Sequence, residues 1–232
     1  MSLSVVILAA GKGTRMFSEQ PKVLHKLADQ PMLQYVIDIA NELNPKNTNV
    51  IVGYKAKEVK HALSREKVNW ILQEKQLGTG DAVKYAIPNL TGEQTLILYG
   101  DVPLVKINEL KKLIKIGEKG LSILTFNKIN PTGYGRIVRG RTGVEAIVEE
   151  KDCSDAQKEI TEINTGIMVA DTKYLINWLS LISNINSQKE YYLTDIVALA
   201  KKDNIEINTI EADSEITISG VNSKIELAKM ER

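Results

Sequence analysis

Cysteine is almost missing from this sequence: Cys153 is the only one in 232 residues. No intrachain disulfide can form, which suits a reducing cytoplasm. A catalytic thiol needs a base beside it, and the chain has only two histidines, His25 and His61. One cysteine and two histidines cannot build a structural zinc site of the usual composition. Cys153 is therefore read as passive and the histidines as surface or packing residues, and a Ser-His-Asp arrangement has no support. An excess of one charge is also missing, since 30 basic and 29 acidic residues leave a net charge of +1. A nucleic-acid surface or a membrane-binding stripe needs a clear basic excess, so neither partner is expected. A small anionic ligand stays compatible, because a few placed cations suffice. Long apolar runs are absent as well. No stretch reaches the roughly 18 residues of a membrane-spanning helix, and the apolar opening at 4–10 runs into glycine and charge too soon for a signal peptide. Neither a repeat nor a low-complexity linker divides the chain, so one domain over 1–232 is expected.

The composition that remains, 43% hydrophobic and 25% charged, is that of an ordinary globular protein. Residues 4–9 (SVVILA) read as a buried strand. Pro31 opens a helical pattern with Leu33, Val36, Ile37 and Ala40 on one face. Strands at 49–52, 69–72 and 95–99 alternate with helices at 55–63, 80–86 and 108–116. Alternation of this kind predicts an α/β fold, Rossmann-like, with a mostly parallel sheet and helices on both faces. The second half is richer in β structure. A strand at 121–126 precedes a hairpin, 134–138 and 144–149, around Gly140-Arg141-Thr142-Gly143. Strands at 163–169 and 206–210 and helices at 174–182, 193–201 and 221–230 follow, so a β-rich insertion is expected near 127–165.

Three stretches carry chemistry. Leu8-Ala9-Ala10-Gly11-Lys12-Gly13-Thr14-Arg15-Met16 follows the first strand. It is not a Rossmann fingerprint, because Met16 stands where the third glycine belongs, and no glycine-lysine-serine/threonine closes a Walker loop. Its glycines still let backbone N–H groups approach a phosphate chain, and Lys12, Arg15 and Lys22 add cations. A strand-to-helix turn with solvated charges is the plainer alternative. Gln73 follows a strand, and its amide offers a pyrimidine edge both a donor and an acceptor. Gly78 leaves room for a base, and Thr79 is placed to cap a helix. Asp101 stands where a buried strand emerges, a natural place for a Mg²⁺ ligand beside phosphates.

The run LAAGKGTRM followed by Pro21-Lys22 resembles the sugar-nucleotide pyrophosphorylases. Further stretches are Pro131 to Arg136, Ile147 to Asp152, Glu162 to Gly166, Glu190 to Asp195 and Gly220 to Asn222. Taken in order, they resemble the uridylyltransferase domain of the bacterial GlmU family, the bifunctional N-acetylglucosamine-1-phosphate uridyltransferases. The resemblance spans nearly the whole chain. It implies a nucleotidyltransferase fold with a sugar-binding insertion, and a reaction of UTP with N-acetylglucosamine 1-phosphate that serves cell-wall precursor synthesis. It further implies that Leu8, Ala10, Gly11, Gln73, Gly78 and Thr79 hold the nucleotide and that Arg15 and Lys22 act on the phosphates. By the same resemblance Asp101 and Asn222 bind Mg²⁺, and Gly135, Glu149, Asn164, Tyr192 and Thr194 hold the sugar phosphate. Members of that family continue into a trimerising left-handed β-helix. This sequence stops in what resembles the connecting helix, so a truncated, monomeric form is expected. Another sugar 1-phosphate, or a non-catalytic nucleotide-binding module, remains open at this stage.

Overall fold

The computed structural model describes residues 1–118 and 120–231. In chain order its strands are β1 (Leu3–Ala9), β2 (Lys26–Leu27), β3 (Gln30–Pro31), β4 (Asn47–Val52), β5 (Asn69–Leu72), β6 (Gln94–Tyr99), β7 (Leu121–Asn127), β8 (Arg136–Gly140), β9 (Gly143–Val148), β10 (Glu162–Asp171) and β11 (Ile207–Glu211). The α-helices are α1 (Met32–Glu42), α2 (Ala56–Ala62), α3 (Thr79–Ala86), α4 (Ile107–Ile116), α5 (Asp155–Lys158), α6 (Thr172–Leu181), α7 (Asp195–Lys202), α8 (Glu215–Ile218) and α9 (Lys224–Met230).

The main sheet runs β11-β7-β10-β6-β1-β4-β5, with the β8–β9 hairpin attached to β10. Neighbours β6, β1, β4 and β5 are all parallel. β10 pairs antiparallel to both β6 and β7, while β11 returns parallel to β7. β1 is buried along its whole length, as a strand covered on both faces must be. Its side chains alternate between two cores. Val5, Ile7 and Ala9 face the side of α1, α2 and α4, where Val36, Ile37, Val59 and Leu110 pack. Val6 and Leu8 face α3, α6 and α7, with Val83, Trp178 and Val197. Trp178 is fully buried, and its indole N–H donates to Asp203 Oδ2 at 2.8 Å, so its polar edge is satisfied inside the core.

The α/β, mostly parallel architecture expected from sequence is what the structure has. Four local readings change. Pro31 ends β3 and is also the N-cap residue of α1, which starts at Met32. The tiny hairpin of β2 and β3 is unannounced by any alternation. The final helix begins at Lys224, with Ser223 as its cap: the Ser223 hydroxyl accepts from the Glu226 N–H, and the Glu226 carboxylate accepts from the Asn222 N–H at 2.6 Å. Val221 packs instead into a small cluster with Met16, Leu27 and Met32. Asn222 thus precedes the helix and does not open it. Thr79 does not cap α3 with its side chain. Its hydroxyl accepts from the Leu193 N–H at 3.0 Å.

Candidate active site

The parallel strands β1, β4, β5 and β6 all end on one side of the sheet, where open α/β sheets place their ligands. Residues just past those ends wall a cavity of about 350 Å³. Leu8, Ala10 and Gly11 come from β1 and its loop, Gln73 from the end of β5, Gly78 and Thr79 from the start of α3, and Asp101 from beyond β6. Nothing lies within 4 Å of the point where a Gly11 side chain would start, so the backbone there is open to a ligand. Gly13 differs. Its φ is +64°, and a Cβ there would meet the Lys22 Cβ at 2.5 Å. The glycine is what lets the loop pack on the lysine stem and fix its course.

Lys22 reaches the cavity mouth and is paired twice. Its ammonium forms an ion pair with Asp101 Oδ2 and donates to Asn222 Oδ1 at 3.1 Å. Residues 22, 101 and 222, remote in sequence, therefore converge. Two contacts of hydrogen-bond length meeting at one nitrogen hold the two oxygens no more than about 6 Å apart. Gly220 leaves the space beside them free: a Cβ there would sit 3.5 Å from Asp101 Oδ2 and 3.7 Å from Asn222 Nδ2. Arg15 stands in a 3₁₀ turn, exposed, and lines neither this cavity nor the next. Among the described residues no three His, Cys, Asp or Glu side chains gather as a metal-binding group.

The amide of Gln73 is buried, 2% exposed. Its Nε2 donates to Asp81 Oδ2 at 2.8 Å and to the Gly78 carbonyl at 3.3 Å. Of the donor and acceptor expected to face a base, the donor is thus spent inside the protein. Gly78 has φ +118°, and a Cβ would meet the Tyr191 carbonyl oxygen at 2.5 Å. The space that this glycine leaves is occupied by the backbone of Tyr191, and no base is needed to explain it. Two further bonds close the contact, Tyr191 N–H to the Leu77 carbonyl and Gly80 N–H to the Tyr191 carbonyl, each 2.8 Å.

A second cavity of about 270 Å³ adjoins the first and shares Thr79, Tyr99 and Glu190 with it. Gly135, Glu149, Asn164 and Tyr192 line it. Glu149 accepts from the Thr194 hydroxyl at 2.9 Å. Burial pushes its carboxyl above the usual range, the Thr194 bond opposes this, and the charges of Asp195, Asp152 and Glu190 add to the rise. Asn164 Oδ1 accepts from the Gly166 N–H at 3.0 Å, which leaves its amide N–H₂ group for a ligand. Tyr192 donates to Asp152 Oδ2 at 3.1 Å, and Asp152 also holds the Ser187 N–H at 2.9 Å. The structure therefore brings together every residue expected at the sugar, Thr194 through its bond to Glu149. Two groups escaped the sequence reading. Tyr99, the last residue of β6, sits between the cavities, its phenol held well above its ordinary range by burial and by the Glu149 and Asp101 charges. Gly166, at φ +86°, exists to clear that ring, 2.5 Å from its would-be Cβ. Tyr99 ends a buried apolar strand, and nothing in its neighbours' spacing marks it. Cys153 is buried, with its thiol donating to the Val148 carbonyl at 3.5 Å, and burial raises its pKa, in keeping with a passive role.

A family model for the MobA-like NTP transferase domain matches residues 5–141, which include the glycine loop, Lys22, Gln73, Asp81 and Asp101. The chain belongs to that family. As an NTP transferase domain of this type, it shares its fold with several solved nucleotidyltransferases. One is a UDP-glucose pyrophosphorylase complexed with UDP-glucose, at TM-score 0.80 and 15% identity, matched over 100% of this chain and 97% of that one. A putative glucose-1-phosphate thymidylyltransferase from Bacillus anthracis matches at TM-score 0.75 and 16% identity, over 99% of this chain and 94% of that one. A nucleotidyl transferase from Methanothermobacter thermautotroptrophicus matches at 0.71 and 18%, over 99% and 96%. In this MobA-like domain no helix among the described residues is long and apolar enough to cross a membrane.

Proposed function

We propose that this chain transfers a uridylyl group from UTP to a sugar 1-phosphate, specifically N-acetylglucosamine 1-phosphate, with release of pyrophosphate. The observation that carries the reading is the convergence of Lys22, Asp101 and Asn222 at the mouth of the glycine loop, beside two adjoining cavities. One cavity is walled by the glycine loop and a buried amide, as a nucleotide needs. The other offers Glu149, Asn164 and Tyr192 to a hydroxylated ring. A sugar phosphate oxygen attacks the α-phosphorus of UTP. That P–O bond forms as the bond to the β-phosphate breaks, and pyrophosphate carries away the electron pair. The nucleophile is already an anion, so no general base is required, and the site has no histidine at its centre. Catalysis is then positioning and charge stabilisation.

Arg15, exposed in the 3₁₀ turn of the glycine loop, and Lys22 are the cations assigned to the phosphates. Asp101 and Asn222 already hold a cation, the Lys22 ammonium, between their oxygens. One carboxylate and one amide oxygen fit Mg²⁺, which keeps several waters and takes one or two protein oxygens with substrate phosphates. When bound there, Mg²⁺ supplies charge neutralisation on the triphosphate. A second reading, thymidylyl or uridylyl transfer to glucose 1-phosphate, is favoured by the names of the two structural neighbours above. Pyrophosphate release measured with UTP or dTTP against N-acetylglucosamine 1-phosphate or glucose 1-phosphate separates them. The first-named pair is expected to give the highest kcat/KM. A preference for dTTP with glucose 1-phosphate overturns the assignment.

A further inference from the structure

We propose that Asp81 is a specificity-determining residue that locks the Gln73 amide so that it presents only an acceptor to the base, selecting UTP against CTP. The inference rests on the nucleotide reading of the 350 Å³ cavity and deepens it. Gln73 lines that cavity and is buried. An amide can in principle turn either end toward a ligand, and the two choices read opposite chemistry. Here the choice is forced. The groups on the inner side of Gln73, the Asp81 carboxylate at 2.8 Å and the Gly78 carbonyl at 3.3 Å, are both acceptors. Only the N–H₂ end can face them. Turning the amide over would set its oxygen against two other oxygens in a buried place, one of them charged. The Gln73 oxygen is therefore directed away from them, and among the described residues no protein donor bonds it.

An acceptor fixed in the wall of a base cavity wants an N–H. Uracil carries one at N3, whereas cytosine has a lone pair there. The site thus favours UTP, and CTP meets lone pair against lone pair. Gly78 contributes to the lock through a backbone carbonyl that no side-chain change removes, so Asp81 is the part of the device that sequence can vary. Asp81 also stands in the first turn of α3, where an acidic residue stabilises a helix whatever the amide does. A purely structural Asp81 would affect all nucleotides alike, and this is the distinction that an experiment can read.

The test measures pyrophosphate release with UTP and with CTP at saturating N-acetylglucosamine 1-phosphate. Wild type is compared with Asp81→Ala and Asp81→Asn, and thermal melts establish that each variant folds. The wild type is expected to prefer UTP. Asp81→Ala should shrink the UTP:CTP ratio of kcat/KM by about tenfold or more, mainly through KM. Asp81→Asn keeps an oxygen that can accept from Gln73 and should retain most of the ratio. If Asp81→Ala does not fold, Gln73→Glu decides. Alone it faces Asp81 with a second carboxylate and should lose UTP, whereas Gln73→Glu with Asp81→Asn should recover UTP preference, because the new amide donates to Glu at 73. An unchanged UTP:CTP ratio in Asp81→Ala, or no recovery in the double variant, overturns the lock and leaves the uridylyl reading standing. A wild type that prefers CTP or ATP, or that transfers no nucleotide, overturns the uridylyl reading and the lock with it.

Discussion

Lys22 holds two oxygens in this structure, and both are the ones assigned to the metal in the proposed reaction. Its ammonium and a divalent cation compete for the same donors. Lys22→Met is therefore expected to bind Mn²⁺, used as a spectroscopic stand-in, about tenfold more tightly than wild type in the absence of nucleotide, because Asp101 loses its counter-charge. The same change should lower kcat/KM by about 10²-fold, through the loss of a phosphate-directed cation. Manganese affinity that fell together with turnover would count against a shared position. Arg15 behaves differently. It is exposed, so Arg15→Ala should leave the melting point nearly unmoved while turnover falls by about 10²-fold. His25→Ala and His61→Ala should change turnover little. Glu149 adds a pH dependence. Its folded-state pKa is raised from 4.5, chiefly by burial. The sign follows from linkage: the contribution to stability is full below the unfolded pKa and is lost as pH rises through the folded one. Glu149→Gln removes that loss. Its melting point should exceed that of wild type near about pH 8, and the advantage should vanish near about pH 4. A variant that is less stable at both values would show that the Thr194 bond outweighs burial.

The start of α3 and the segment ahead of α7 are joined at the scale of elements. Gly78 packs against Tyr191, and three hydrogen bonds tie Leu77, Thr79 and Gly80 to Tyr191 and Leu193. Gly78→Ala combines a left-sided φ with a backbone collision. It should destabilise the fold by about 2 kcal/mol, seen as a fall of roughly 4–8 °C in the melting point. A melting point unchanged by Gly78→Ala would mean that the Tyr191 contact yields. The elements themselves were mostly legible beforehand. Residues 5–9 form an unbroken apolar run, 80–86 space Ala82, Val83 and Ala86 along one helix face, and glycine and charge mark where β1 stops. The direction of β10 was not legible, because a strand buried on both faces has the same apolar pattern whichever way it runs. The Gln73 donor could not be placed either. Its partner Asp81 lies eight residues on and looks like an ordinary first-turn acid. Asn222 was found through the resemblance, but its place ahead of the helix depended on the Ser223–Glu226 cap. That cap follows the pattern of a polar residue with glutamate three positions on, and the apolar Val221 had masked it.

For the whole molecule, β10 is the element that counts. It pairs with β6, whose end walls the first cavity, and with β7 and β8, and its own Asn164 lines the second, so one hydrogen-bonded sheet joins elements that wall both cavities. The two halves should then melt together. Saturation with Mg²⁺ and UTP at about a hundred times Kd contributes about 2.7 kcal/mol. This should raise a single calorimetric transition by roughly 5–10 °C. Two transitions, only one of them moved by UTP, would show that the insertion unfolds by itself.

The Gly78–Tyr191 seam also bears on how the enzyme could be re-engineered. Tyr192 and Thr194 belong to the same short segment as Tyr191, and the Gly78 carbonyl itself accepts from the Gln73 amide. A library that reshapes the cavity beside Glu149 at these positions also pulls on the peptide planes that hold the Gln73 amide. On the proposed reaction, base choice and sugar choice are therefore expected to be coupled through this seam. Selection for a new sugar is then expected to shift base preference as well, and a pocket swapped from a relative is expected to work best with the seam transplanted whole.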